Sequence, residues 1–274
     1  MRNVAIYHCS IKIISRGKGR SAVACAAYRS GTKLTDLATG KIFDYSNKPG
    51  VVFSEVLQPE NAPAVFAVDR NILWDAVERK ETHSAAQLAR EVEVALPCEF
   101  TRQEQIDTVR DYIMKNFVHE GMCADWALHD KGDGNPHAHI MLTMRAIKPN
   151  GRWAEKSRTI YKLDQNGQKI PVIDPTTGQQ KIGARGRKMW QRETVPANDW
   201  NDHSKAEKWR AAWATECNRR LDRQHQIDHR SYARQAVEQE PTIHEGYAAR
   251  KMEREGQVSD RCEINREIRE LNEQ

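Results

Sequence analysis

The chain has 274 residues, 39% of them hydrophobic and 30% charged, and a mean hydropathy of -0.79, a well-hydrated globular composition long enough to bury a core. No apolar run approaches the roughly 20 residues of a membrane-spanning helix, and the opening MRNVAIYHCSIKII lacks the apolar block and small-residue cleavage site of a secretion signal, so a cytoplasmic protein is expected. The net charge of +5 is unevenly spread: residues 1–50 sum to +7 and 145–235 to +10, against -6 for 51–120, -2 for 121–144 and -4 for 236–274. Two basic blocks around an acidic centre suit a polyanion held by both ends of the sequence; an ordinary solvated surface accounts for the charge equally well. Six cysteines, Cys9, Cys25, Cys98, Cys123, Cys217 and Cys262, include no C-x-x-C pair and read as reduced packing residues rather than a disulfide framework or zinc knuckle.

Positions 3–14 alternate as a strand, with Val4, Ile6, His8 and Ser10 on one face and Ala5, Tyr7, Cys9 and Ile11 on the other. A basic turn, Arg16-Gly17-Lys18-Gly19-Arg20, precedes Ser21, which caps a helical run closed by Gly31. After an irregular stretch to about residue 60, DRNILWDAVERKE and the start of SAAQLAREVEV carry helical patterns, the second on Ala85, Leu88 and Ala89, before VEVALP reads as a strand ended by Pro97. A helix follows with Ile106, Val109, Tyr112, Ile113 and Phe117 inward, then two strands, 122–129 and 136–145, joined by the turn-rich DKGDGN. The expectation is a strand-centred α+β layer with helices on one face. Residues 151–196 read as short β-ribbons or a polar loop, 198–223 as a helix with Trp209, Trp213, Cys217 and Leu221 inward, and 245–274 as a charged, solvated helix.

The chemistry concentrates in His129-Asp-Lys-Gly-Asp-Gly-Asn-Pro-His137-Ala-His139. Strand alternation puts His137 and His139 on one face with Met141 and Thr143, and hairpin pairing brings His129 beside them. Three neutral imidazoles with open positions form a catalytic divalent-metal arrangement, whereas two alternate histidines alone are as often structural. A metal-bound histidine commonly donates its other ring nitrogen to a carboxylate, which Glu91 or Glu93 offers; a solvent-facing strand edge is the plainer reading of either acid alone. No H-E-x-x-H helix and no phosphate loop ending in Gly-Lys-Ser/Thr is present, so with basic flanks the substrate is read as a phosphodiester. Tyr28 stands out among seven tyrosines, after small residues and before Arg29; on chemistry alone it is a packing residue more readily than a nucleophile, since a phenol needs a cation to react at neutral pH.

AIYHCSIKIISRGKGRSAVACAAYR, AREVEVALPCEF, HDKGDGNPHAHIMLTMR, the WR..WA..CN run and IDHRSY, in that order over about residues 1–235, resemble the MobA/MobL relaxases, a branch of the HUH nucleases that start conjugative plasmid transfer. The resemblance implies an α+β fold, a central antiparallel sheet flanked by helices with the tyrosine helix over the histidine strands, and a basic C-terminal β-ribbon and helical extension over about 145–235. It implies Tyr28 as the single nucleophile, His129, His137 and His139 as ligands of one Mg²⁺ or Mn²⁺, and Glu91, with Glu93 as second choice, as the acid behind them. Phosphates would be tracked by Arg16, Lys18, Arg20, Arg29, Arg152, Lys156, Arg158, Arg185, Arg187 and Lys188, with Trp153 and Trp190 either stacking on bases or packing in the core. The implied partners are single-stranded or hairpin DNA at a transfer origin, accessory relaxosome proteins and a type IV secretion coupling protein, met by a monomer in the bacterial cytoplasm. Such relaxases are usually longer, so 236–274 is read as a charged helical tail that begins a further region, and the chain as a short form or a nuclease-domain fragment. Two other readings are an HUH replication initiator or transposase, separable by the origin cleaved, and a non-catalytic nucleic-acid-binding protein with a structural metal, separable by covalent capture of DNA.

Overall fold

A computed structural model describes residues 7–243 and 245–273. The chain forms two compact units, Met1–Ile227 and Asp228–Gln274, the division falling a few residues before the expected start of the tail.

In the first unit, strand β1 (Cys9–Ser15) leads through the basic turn to helix α1 (Ala22–Ser30). A small hairpin of β2 (Lys33–Thr35) and β3 (Ile42–Asp44) is followed by β4 (Val51–Leu57), the short α2 (Val65–Val68), α3 (Arg70–Lys80), β5 (Gln87–Ala95) and α4 (Arg102–Ile113). Helix α4 runs on into one π turn, Met114–Val118, and then come β6 (Ala124–His129), β7 (His137–Thr143), β8 (Ser157–Tyr161), β9 (Arg192–Pro196) and α5 (His203–Asn218). Strands β1, β5, β7, β6 and β4 form, in that order, one fully antiparallel sheet.

Pairing register sorts the sheet into two faces. Val92 lies opposite Ile140, and Ile140 opposite Trp126; one residue along, Glu93 lies opposite His139, and His137 opposite His129. The first face is largely apolar, its buried charge being Arg90, opposite Leu142. It is closed by Ile106, Val109, Tyr112 and Ile113 of α4, Phe117 of the π turn, and Trp209, Trp213 and Cys217 of α5. The second face carries the histidines and acids and is covered toward the Ala89–Thr143 end by α1 and α3, which contribute Val23, Ala26, Ala27, Leu73 and Trp74. The one-face expectation is therefore corrected: helices flank both faces. The cause is visible in β5, whose Leu88, Ala89, Val92 and Val94 are all buried. Adjacent strand residues point to opposite faces, so burial of both Leu88 and Ala89 breaks the apolar–polar alternation, and with Ala85 they imitate helical spacing in the sequence.

Other boundaries shift. Of the expected strand 3–14, β1 begins at Cys9, and Val4, Ala5 and Ile6 lie outside the described residues. The stretch read as irregular holds the β2–β3 hairpin and edge strand β4. Residues 157–196 form an extended antiparallel ribbon: β8 pairs with β9, and further bridges join Leu163 to Lys169, Pro171 to Trp190, Ile173 to Gln180 and Ile182 to Lys188. All six cysteines are free, and all but Cys98 are buried. The second unit contains α6 (Tyr232–Gln235), α7 (Gly246–Arg254) and α8 (Asp260–Glu273), so the expected single charged helix is divided. Among the described residues no helix is long and apolar enough to cross a membrane.

Candidate metal centre and tyrosine helix

The three histidines meet at the turn end of β6 and β7. Their ring centroids are 5.4 Å apart for His129 and His137, 4.8 Å for His129 and His139, and 5.2 Å for His137 and His139. One ring nitrogen from each lies within 4.8 Å of the others, close enough for a single divalent ion to be shared. Each ring is pinned through one nitrogen. His137 Nδ1 donates to the Asn135 carbonyl (2.8 Å), His139 Nδ1 to Glu91 Oε1 (3.0 Å), and His129 Nε2 to the Arg29 carbonyl (2.6 Å). Because carbonyl and carboxylate oxygens only accept, these bonds fix the tautomers and leave Nε2 of His137 and His139 and Nδ1 of His129 with free lone pairs. Burial pushes His129 down to about 3 and lowers His137 as well, so both rings are neutral, the form a metal takes. Donor type, number and protonation state fit a divalent ion, and His129, His137 and His139 are the residues that would hold it.

Glu91 lies behind the triad, buried, and accepts both His139 Nδ1 and Arg29 Nε (2.6 Å) on Oε1. Burial alone would raise its carboxyl, but the hydrogen bonds from His139 and Arg29 outweigh this and hold it at about 2. Glu93, also on this face, instead pairs with Lys12 at 3.3 Å. Between the two acids left open by the sequence, Glu91 is the one bonded to a histidine.

Helix α1 brings the tyrosine here. Ser21 Oγ caps its N-terminus by accepting from Ala24 N–H, and Glu78 Oε1 accepts the Ala22 N–H at 2.6 Å. Ala22, Ala26 and Ala27 let the helix lie close on the sheet. Gly31 ends it in the left-handed region (φ 63°), where an added Cβ would stand 3.0 Å from Val51 Cγ2, so both backbone shape and space demand glycine. At the last turn, Arg29 grips the sheet twice, its carbonyl on His129 and its guanidinium on Glu91. Tyr28, the residue before it, is 48% exposed. Its ring meets Tyr45 edge-on with centroids 5.2 Å apart, and Lys48 Nζ lies 3.6 Å from its centroid while donating to its carbonyl at 2.8 Å. The sequence reading missed Tyr45 and Lys48, which stand in a loop without motif or periodicity; adjacency to Tyr28 is their only mark, and it exists only in three dimensions.

The remaining basic candidates divide by environment. The Arg16 guanidinium is taken by Glu78 and the carbonyls of Glu78 and Glu81, and Lys156 Nζ by Glu81 (2.9 Å) and the Gln87 carbonyl (2.8 Å). Lys18 and Arg20 are exposed on the turn before α1, as are Arg152, Arg158, Arg185, Arg187 and Lys188 on and beside the ribbon. Trp153 stacks on Phe66 with centroids 5.8 Å apart, and Trp190 is half-buried in the ribbon; Trp209 and Trp213 are core.

An antiparallel sheet bearing a pinned imidazole triad, with the helix that carries Tyr28 hydrogen-bonded to it, defines an α+β protein with a candidate metal centre. The chain belongs to the MobA/MobL family, whose family model matches residues 20–255. It is 46% identical over 272 residues to the probable mobilization protein MobA of Bifidobacterium longum, covering 98% of this chain and 48% of that protein. It is 34% identical to the conjugal transfer protein TraA of Agrobacterium fabrum (98% and 24% covered) and 32% identical to the mobilization protein MobL of Acidithiobacillus ferridurans (92% and 64%). The chain thus spans from a quarter to two thirds of the length of these relatives. Its fold is similar to a solved structure described as the molecular basis of vancomycin resistance transfer in Staphylococcus aureus, with a TM-score of 0.62, 27% identity, and 85% of this chain and 96% of that one covered.

Proposed function

We propose that the chain is a relaxase that nicks one DNA strand at a plasmid origin of transfer. Tyr28 Oη attacks the scissile phosphorus, the P–O3′ bond breaks, and the phenolic proton passes through solvent to the departing 3′ oxygen. The products are a 5′-phosphotyrosyl adduct and a free 3′-hydroxyl. Reversal of the same step rejoins the strand, because the phosphotyrosyl ester keeps the energy of the phosphodiester. His129, His137 and His139 would hold a divalent ion, Mg²⁺ or Mn²⁺, which would supply charge neutralisation at the phosphate. Glu91 orients His139 and keeps its Nδ1 protonated, and Arg29 ties the tyrosine's helix to that pair.

The observation that carries this reading is Arg29, which bonds His129 and Glu91 from the residue next to Tyr28. Lys18, Arg20, Arg152, Arg158, Arg185, Arg187 and Lys188 would track phosphates, with Trp153 and Trp190 as stacking surfaces. Arg16, Arg29 and Lys156 would reach DNA only by releasing Glu78, Glu91 and Glu81, so they support that surface from behind. We read residues 1–235 as the nuclease module and 236–274 as a charged helical tail. The module would act as a monomer in the bacterial cytoplasm, with accessory relaxosome proteins and a secretion coupling protein.

The test is incubation with single-stranded transfer-origin oligonucleotides and Mg²⁺ or Mn²⁺, read by mass spectrometry. The expected product is an oligonucleotide mass on Tyr28, absent from the Tyr28→Phe protein, which still binds the strand. An adduct persisting in that variant would overturn the assignment.

A further inference from the structure

The loop between β3 and β4 folds over Tyr28. Lys48 N–H donates to the Tyr45 carbonyl at 2.9 Å, Tyr45 packs edge-on against Tyr28, and the Lys48 ammonium lies on the Tyr28 ring while bonding its carbonyl. The loop's far end is clamped to the β6–β7 turn: Asp130 N–H donates to the Gly50 carbonyl at 2.7 Å, and a Cβ at Gly50 would stand 2.7 Å from Lys131 Cγ. Lys48 is therefore held in place by backbone on both sides.

Its charge has no counterpart. Arg29 is answered by Glu91 and Arg102 by Asp130. Lys48, half-buried, has Arg29 and Lys131 as its charged neighbours, and among the described residues no acid lies within ion-pair distance of it. Burial, then the nearness of Arg29 and Lys131, pushes it down to about 8. A partly desolvated cation among cations is relieved by an anion. A cation–π contact is also weak enough to be exchanged for a phosphate oxygen, which gives a charge-assisted hydrogen bond.

We propose that Lys48 is a substrate-binding residue whose ammonium takes a non-bridging oxygen of the scissile phosphate, leaving the face of Tyr28 as the DNA strand arrives. This rests on the relaxase reading above. It assigns the nucleophile a cationic partner from the loop side, distinct from the histidine centre and from the exposed basic residues that follow the rest of the strand.

The experiment crosses a protein change with a DNA change, reading binding in the Tyr28→Phe background so that no chemistry intervenes. Lys48→Gln keeps a donor for the Tyr28 carbonyl but removes the charge. It should weaken binding of the origin strand by about tenfold and reduce the salt slope by about one, while Lys48→Arg stays within about threefold. Single methylphosphonates, which neutralise one phosphate each, are then walked along the strand. The Lys48→Gln penalty should shrink to less than about twofold with the methylphosphonate at the nick and persist elsewhere, as expected when both changes remove one shared contact. Lys48→Met, which lacks the donor, provides the same comparison should Lys48→Gln fold poorly. A penalty that is absent, equal at every position, or abolished at a different phosphate overturns the assignment. Failure of the parent reading looks different: the unsubstituted protein then forms no adduct on the unmodified strand.

Discussion

The two faces of the sheet are made by the same five strands and share every backbone hydrogen bond, yet they do opposite work. On one, Trp126, Ile140, Leu142 and Val92 meet Tyr112, Phe117, Trp209 and Trp213 in a largely apolar interior, with the buried Arg90 opposite Leu142 laying its guanidinium over Trp209 at 5.0 Å. On the other, Glu91, Asp125 and His129 are buried with partners: Asp125 accepts from Arg70 at 3.0 Å and from Trp74 Nε1 at 2.8 Å, as Glu91 does from Arg29 and His139. Apolar burial stabilises without direction, so the first face can hold the fold. Buried polar groups cost free energy unless their partners are set to within tenths of an ångström, so the second face spends stability on geometry. Residues one position apart in the sequence thus fall under different physical demands.

Four perturbations separate the faces. The largest effect on folding belongs to the apolar side: Trp213→Ala should cost about 3–5 kcal/mol, seen as a lower denaturant midpoint, because the surrounding rings cannot close the hole. A loss under about 1 kcal/mol would show that α5 contributes little to the core. Next, Glu91→Gln keeps an acceptor but removes the charge that Arg29 and His139 share; about 1.5–3 kcal/mol of stability should go, together with about 10- to 100-fold in Mn²⁺ affinity measured by calorimetry. Unchanged metal affinity would make Glu91 a purely structural acid. Third, His137→Ala should leave the midpoint within about 0.5 kcal/mol, since the ring is only partly buried, while Mn²⁺ binding falls by at least about tenfold. Chelation of the unsubstituted protein should likewise abolish adduct formation.

The smallest effect is one of pH. Lys48 is lowered from 10.5 to about 8 in the fold, so between those values the unfolded chain binds more protons than the folded one, and stability contributed by this residue rises with pH. Relative to Lys48→Met, the unsubstituted protein should therefore gain stability from about pH 8 to 10.5. A flat difference over that window would mean that the ammonium is well solvated.

The contrast between faces also explains what could be read in advance. The histidine hairpin was legible because its logic is local: alternation on a strand and a two-strand turn bring His129, His137 and His139 together without knowledge of the rest. Helix α1 was legible from Ser21 and Gly31 at its ends, and α5 from its tryptophan spacing. Only the first half of strand β5 lost its signature, where the neighbours Leu88 and Ala89 are both buried, one on each side of the sheet. The charged residues were hardest. Nothing in the sequence distinguishes Arg16, Arg29 and Lys156, held by Glu78, Glu91 and Glu81, from Lys18 or Arg185, which face solvent. Ion pairing depends on residues tens of positions away, and so does the placement of Lys48.

Arg29 has one more implication. Through it, unwinding the final turn of α1 would strip one imidazole of its acceptor, and would strip the acid behind a second imidazole of its guanidinium partner. Order in the helix that carries Tyr28 and binding of an ion at the triad would therefore be thermodynamically linked, and linkage is reciprocal. Loading the cation should slow amide hydrogen exchange in a segment that supplies no ligand to it, and loosening that segment should make the cation easier to remove.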